Sequence, residues 1–321
     1  MTAIRQELRV DVTNAVGHGD GLEIAATVVA PPMEELPPRP VVVVATPGGT
    51  YNRRYWDLQP PGRVGYSQAA YLAERGVIVV ACDYLGGGDS SRPDDADFIG
   101  LEAQADAAHG AFVHLRNGLL KGTLTDALAP ITDAVVVGIG QSLGGMITII
   151  QQAKYADYPA IGIFGSSPLL FAAKANEAAT PGAELAAIVN EIADHAGPEL
   201  PMYQKAPREQ YRGIFHVPDV PDDLFAYDDD QCHTVLPRAS AIDGMTPGFA
   251  TPFADRITCP LFLAFGETDI TSDPHAEPTA YPASSDITLV VCADMAHMHN
   301  FADTRVGLWN RFLAWLTVVA G

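Results

Sequence analysis

Ala134-Val135-Val136-Val137-Gly138-Ile139-Gly140-Gln141-Ser142-Leu143-Gly144-Gly145 runs directly into Met146-Ile147-Thr148-Ile149-Ile150. The first half is a run of branched apolar residues of the kind that forms a buried strand, and the second half is an apolar helix. Between them stands Gly140-Gln141-Ser142-Leu143-Gly144, a G-x-S-x-G pattern. Glycines flanking a serine let two backbones approach closely and tolerate a strained turn, which pushes the hydroxyl outward as a nucleophile. So short a pattern also recurs by chance in ordinary strand-to-helix turns. The strand before it and the helix after it are the context that gives it chemical meaning, and they make Ser142 the candidate nucleophile.

Working outward, apolar periodicity places strands at Ile4 to Val12, Leu22 to Val29, Val41 to Ala45 and Val77 to Cys82. A proline-rich connection from Pro31 to Pro38 precedes the third of these. Helices are expected near Ser67 to Arg75, with Gly76 at the C-cap, and near Leu101 to Leu120. Alternation continues through the strand at Ala160 to Phe164. Repeated β-α units with nearly continuous apolar strands predict an α/β protein whose mostly parallel sheet is covered by helices on both faces.

From Leu169 to Asp255 the alternation stops, among prolines and acidic clusters such as Asp228-Asp229-Asp230. Residues 169–255 read as an inserted, largely helical cap after the sixth core strand, with residues 1–168 and 256–321 forming the core. Strands return at Pro260 to Phe265 and Ile287 to Cys292, and the chain ends in an amphipathic helix through Trp309, Phe312, Leu313, Trp315 and Leu316.

The chain has 321 residues, 48% of them hydrophobic, enough for a substantial core. Its 39 acidic and 19 basic residues leave a net charge of −20, which repels phosphate backbones and argues against nucleic acid as a partner. No apolar stretch reaches the roughly 20 residues that span a bilayer. The N-terminus lacks the pattern of a signal peptide, so a cytoplasmic location is expected. Cys82, Cys232, Cys259 and Cys292 lie far apart without C-x-x-C spacing and read as small buried thiols.

A nucleophilic serine needs a base, and the base an orienting acid. Two late strand ends supply candidates. Leu261 to Phe265 leads into Gly266-Glu267-Thr268-Asp269, and Leu289 to Cys292 into Ala293-Asp294-Met295-Ala296-His297-Met298-His299-Asn300. The order is serine, acid, histidine. A metal reading of His297 with His299 lacks a third ligand at suitable spacing, so no metal is expected.

With these residues in place the chain resembles the α/β-hydrolase superfamily over essentially its whole length. The resemblance implies an α/β-hydrolase fold and selects Asp269 as the acid, in the G-x-x-D turn after a late strand, with Glu267 as the alternative. It favours His297 as the base over His299. It also implies two backbone donors for the oxyanion: Leu143, after the nucleophile, and Gly49, in the loop Thr46-Pro47-Gly48-Gly49-Thr50-Tyr51. That loop has Pro47-Gly48 where the family commonly has His-Gly, which leaves Thr50 as the alternative to Gly49. Asp83 to Ser90 matches the family's D-x-x-G-x-G-x-S loop, which is structural. Arg53 and Arg54 shape the acyl pocket or contact a substrate carboxylate, or else form a solvated pair that bridges acidic neighbours.

The reading is a serine hydrolase acting on a carboxylic ester, lactone or thioester through an acyl-enzyme, with no cofactor. Acyl transfer and carbon–carbon bond hydrolysis are variants on the same residues, and a non-catalytic binding protein is a further alternative. A dinucleotide-dependent oxidoreductase is suggested only by Gly138-Ile139-Gly140, and its third glycine is misplaced at Gly144. Leu169, Leu170, Phe171, Phe215, Leu224 and Phe225 hint at a small-molecule ester with an apolar moiety. The sequence leaves a homodimer open.

Overall fold

Valine and isoleucine runs are stiff at χ1 and pack well on a pleated surface, so these segments become the strands. The computed structural model describes residues 3–169, 200–218, 220–246, 248–271 and 273–321. Among them, eight strands form one sheet: β1 (Ile4–Asp11), β2 (Glu23–Ala30), β3 (Val41–Thr46), β4 (Ile78–Cys82), β5 (Val135–Gln141), β6 (Ile161–Phe164), β9 (Leu261–Thr268) and β10 (Ile287–Ala296). Their order is β1-β2-β4-β3-β5-β6-β9-β10. β1 and β2 pair antiparallel, as do β2 and β4, and every other pairing is parallel. The expected α/β architecture with a mostly parallel sheet is the one observed.

Parallel strands flanked by helices are buried on both faces, and β3 through β6 show it. Val42 and Val44 pack on one face with α3 (Leu101–Lys121), through Ala107, Ala111, Leu115 and Leu119. Val43, Val79 and Val137 pack on the other face with α2 (Gln68–Ala73) and α9 (Arg305–Ala320). α9 buries Leu308, Phe312, Trp315 and Leu316, the i, i+4, i+7, i+8 stripe of an amphipathic helix. Edge strand β1 instead alternates exposed positions with half-buried ones and the buried Val10, and a short helix, α1 (Thr13–Val16), follows it. α2 starts where the Ser67 hydroxyl accepts the Ala70 N–H at 2.8 Å, and Gly76 closes its turn at φ 81°.

Several boundaries differ from the sequence reading. β9 runs on to Thr268 and β10 to Ala296, the latter through a register irregularity between Cys292 and Ala296 that includes Asp294 at φ 52°. Between β6 and β9 the described residues hold a two-stranded ribbon that was not expected, β7 (Tyr203–Gln204) with β8 (Leu236–Pro237). They also hold helices α5 (Arg208–Phe215), α6 (Asp222–Tyr227), α7 (Arg238–Met245) and α8 (Thr251–Ala254). Leu170 and Phe171 lie outside the described residues. Cys259 and Cys292 are half-buried rather than buried, and all four thiols are free. No helix among the described residues is long and apolar enough to cross a membrane.

Candidate active site

β5 ends at Gln141, and the chain turns at Ser142 into α4 (Leu143–Tyr155). Ser142 adopts φ 52°, ψ −121°, a conformation that L-residues avoid at a cost of about 1–3 kcal/mol. Its N–H donates to Phe164 O at 2.8 Å, and its carbonyl accepts from Gly145 N–H and Met146 N–H, so the turn is held from both sides. A Cβ at Gly140 would collide with the Gly144 backbone, and one at Gly144 with the Thr46 carbonyl. Only glycines allow strand and helix to meet this closely. Gly138, read above as part of a dinucleotide-like spacing, is filled over by the Tyr158 ring.

Asp269 follows β9 and His297 follows β10, two neighbouring parallel strands, so their side chains meet at the same sheet end. His297 Nδ1 lies 2.7 Å from Asp269 Oδ1. The same oxygen accepts the Ile270 N–H at 2.7 Å, while Oδ2 accepts from Gly266 N–H at 2.9 Å and His299 Nε2 at 2.7 Å. Burial pushes the Asp269 carboxyl up, but the charges and hydrogen bonds of His297 and His299 outweigh it and hold it well below the carboxylate range. With Nδ1–H given to Asp269, the partners assign the free lone pair of His297 to Nε2.

His297 and Ser142 line one cleft. No direct hydrogen bond joins them among the described residues, as is common in ligand-free sites where such contacts tighten with substrate. Both histidines left open by the sequence therefore bind Asp269, from opposite oxygens, and of the two only His297 lines the cleft with the serine. Glu267 is exposed and accepts the Asp294 N–H at 3.1 Å, and it makes no hydrogen bond to either histidine among the described residues. Sequence reasoning missed Gln141. Its amide donates to the His297 carbonyl at 3.1 Å and comes within 3.4 Å of His297 Nε2. Its position beside the nucleophile was the one available signal.

On the opposite side, Gly48 O accepts the Tyr51 N–H at 3.1 Å, closing a turn with Thr50 at φ 62°. The Thr50 N–H is committed to the Tyr84 hydroxyl at 2.9 Å. The N–H groups of Gly49 and Leu143 have no acceptor among the described residues. A Cβ on Gly49 would sit 3.7 Å from Leu143 Cβ, so the two free donors are neighbours.

The cleft has a volume of about 210 Å³ and a mainly apolar lining, with Met146, Tyr211, Phe215, Leu236 and Met245 among its walls. Of the apolar residues singled out in the sequence, Phe215 lines it. Leu224 packs in the core, Leu169 packs against it, and Phe225 lies against His216 and under the Arg212 guanidinium. Met146 was findable, being one helical turn beyond Ser142. A separate cavity of about 790 Å³ includes Arg53 and Arg54 but none of Ser142, Asp269 or His297. Arg53 is neither solvated nor at the acyl cleft: it is buried and bridges Glu7, Asp83 and Asp89 at 2.5, 2.5 and 2.8 Å. Arg54 bonds Gln231 Oε1 at 2.8 Å. In the Asp83 to Ser90 loop, Asp83 accepts the N–H groups of Arg53 and Asp89, and the Ser90 hydroxyl accepts the Ala25 N–H.

Behind the cleft, Glu277 is 1% exposed. Its Oε1 accepts from the Ser167 hydroxyl at 2.5 Å and from Thr271 Oγ1, while Oε2 has no partner among the described residues. Burial raises its pKa from 4.5 to about 7, against the lowering effect of the two hydroxyls and reinforced by the Asp269 charge. The folded state thus binds the Glu277 proton more tightly than the unfolded chain does. Stability contributed below about pH 4.5 is lost as pH rises through about 7, by up to about 3 kcal/mol. Asp269 acts in the opposite sense and only in acid, where falling pH removes its contribution. Glu277→Gln keeps the Oε1 acceptor and removes the titration. The difference in urea unfolding free energy between about pH 5 and about pH 8 should shrink in the variant. An unchanged difference contradicts the assignment.

The sequence model described as the Alpha/beta hydrolase family matches residues 41–306. No curated protein sequence matches the chain. Among solved structures, a thermophilic esterase from Thermogutta terrifontis shares 18% identity, with 98% of this chain and 100% of that one covered and a TM-score of 0.58. An esterase from Exiguobacterium antarcticum shares 15% identity over 93% and 97% of the two chains, at a TM-score of 0.62. A bromoperoxidase from Bacillus anthracis shares 17% over 97% and 99%, also at 0.62. Likeness at such identities is a likeness of fold, and function has to be argued from the site.

Proposed function

The chain belongs to the alpha/beta hydrolase family, and from that premise we propose that it is a serine hydrolase cleaving a carboxylic ester, lactone or thioester through an acyl-enzyme. The observation that carries the proposal is the buried Asp269–His297 pair, 2.7 Å apart, whose histidine lines the same cleft as a serine held at positive φ. His297 Nε2 takes the Ser142 proton as Oγ adds to the acyl carbon. Asp269 keeps Nδ1 protonated and stabilises the imidazolium. The developing oxyanion rests on the N–H groups of Gly49 and Leu143, donors that cost no reorganisation because the folded backbone already presents them. His297 then protonates the leaving alcohol or thiol, and a water activated by the same nitrogen releases the acid.

Residues 169–255 serve as the cap of this site. Tyr211, Phe215, Leu236 and Met245 come from that segment and wall the cleft, which supports the assignment. Pockets for drug-sized ligands run from about 300 to about 1,000 Å³, so a cleft of about 210 Å³ suits a compact apolar acyl group. On a series of p-nitrophenyl esters, run beside lactones and thioesters, kcat/KM is expected to peak at acyl chains of no more than about six carbons. A maximum at long chains contradicts the volume argument, and no turnover of any member contradicts the hydrolase reading.

A further inference from the structure

We propose that Arg208 is a positioning residue that holds the Gly49 donor in place through Thr50, an inference that rests on the hydrolase reading above. Thr50 is β-branched yet stands at φ 62°, a conformation that persists only where the surroundings over-determine it. Its N–H is tied to the Tyr84 hydroxyl, and its carbonyl accepts the Thr234 N–H at 2.8 Å. Arg208 supplies two further bonds, from Nη1 to Thr50 Oγ1 at 3.0 Å and from Nη2 to Thr50 O at 2.8 Å. Both are charge-assisted.

The guanidinium is itself fixed. Arg208 is 2% exposed, its Cζ lies 3.8 Å from the Tyr51 ring centroid, and its Nε is 3.7 Å from Asp228 Oδ2. That carboxylate oxygen is shared with the Tyr51 hydroxyl at 2.7 Å and His216 Nε2 at 2.9 Å. A planar fork that binds a hydroxyl and a carbonyl of one residue while stacking on the next is work a lysine cannot reproduce.

Arg208 opens α5, and the other end of this helix reaches the base. The carbonyls of Ile214 and Phe215 accept the N–H groups of His297 and Met298, at 3.3 and 2.8 Å. One eight-residue helix of the 169–255 segment therefore ties the oxyanion loop to the histidine loop. Relaxation of Thr50 to negative φ would turn the Gly49–Thr50 peptide and carry Gly49 away from Leu143. The loss would fall on the transition state, because the donor meets an oxyanion and not the ground-state carbonyl.

The test compares wild type, R208K and R208K/T50G on p-nitrophenyl butyrate, with affinity for an alkyl trifluoromethyl ketone as the probe of oxyanion binding. R208K is expected to lower kcat by about 10- to 100-fold with KM within about twofold, and to weaken the ketone by a similar factor. Glycine takes positive φ without support, so T50G should restore most of the kcat lost in R208K. Thermal melting checks folding. Should R208K not fold, T50V, which leaves the Arg208–Asp228 pair intact, is read in the same way. R208K or T50V with kcat and ketone affinity within about twofold of wild type overturns the assignment, as does a loss carried wholly by KM or one that T50G leaves unrepaired. Wild-type turnover with R208K undiminished overturns the Arg208 role alone, whereas absence of wild-type turnover overturns the hydrolase reading and the Arg208 role with it.

Discussion

Ser142→Ala is expected to lower kcat on a p-nitrophenyl ester by about 10⁵- to 10⁶-fold while KM changes little. The hydroxyl is the only atom removed. The elbow does not depend on it, since the Ser142 N–H is held by Phe164 O and its carbonyl by the first turn of α4. Alanine meets the same backbone strain as serine, so thermal melting should shift by no more than a few degrees. The residual rate should stay above that in water, because the Gly49 and Leu143 donors remain and such donors with binding alone retain about 10³- to 10⁴-fold. Turnover near wild type in the alanine variant would mean that another group is the nucleophile.

The second large effect separates two histidines that stand two residues apart. His297→Ala should lower kcat by about 10⁵- to 10⁶-fold, for it removes the proposed base, which lines the cleft with Ser142. His299→Ala should lower kcat by less than about tenfold and act chiefly on stability. Its Nε2 supplies one of two bonds to Asp269 Oδ2, the other coming from Gly266 N–H. Deleting a partner of a buried carboxylate costs about 1–3 kcal/mol or more. The contrast is measured by kcat and urea unfolding on both variants. Equal losses of kcat, or the larger loss at His299, would reverse the assignment of the base.

Much of this arrangement was legible because it is local. Branched apolar runs fall on the strands, and Ser142, Asp269 and His297 follow strand ends in chain order, so the structure needs only a parallel sheet to bring them to one edge. What was hidden depends on distant partners. The sequence puts Gly49 ahead of Thr50 without deciding between them, and the Tyr84 hydroxyl, 34 residues on, engages the Thr50 N–H and leaves the Gly49 N–H without an acceptor among the described residues. The spacing after the last strand favours His297 over His299 without deciding between them, and it is the end of β10 that puts His297 in the lining of the cleft. The walls of the cleft come from Tyr211, Leu236 and Met245, whose placement is set by tertiary packing in a segment without strong periodicity. The β7–β8 ribbon has two residues per strand, one of them Pro237, too few for an alternation to register. That Arg53 bridges acidic neighbours was readable from its charge, but not that three carboxylates converge on it while it is buried, because charge alone does not reveal burial.

The central claim is that Ser142 is a nucleophile activated by His297. Reaction with a fluorophosphonate probe tests it most directly: Ser142 Oγ displaces fluoride from phosphorus, forming a covalent phosphonyl-serine whose mass is read on the intact protein and on its peptides. The account predicts a single adduct on the peptide containing Ser142, absent from Ser142→Ala and strongly slowed in His297→Ala. No adduct on the folded wild-type protein, or an adduct that persists in Ser142→Ala, would contradict it.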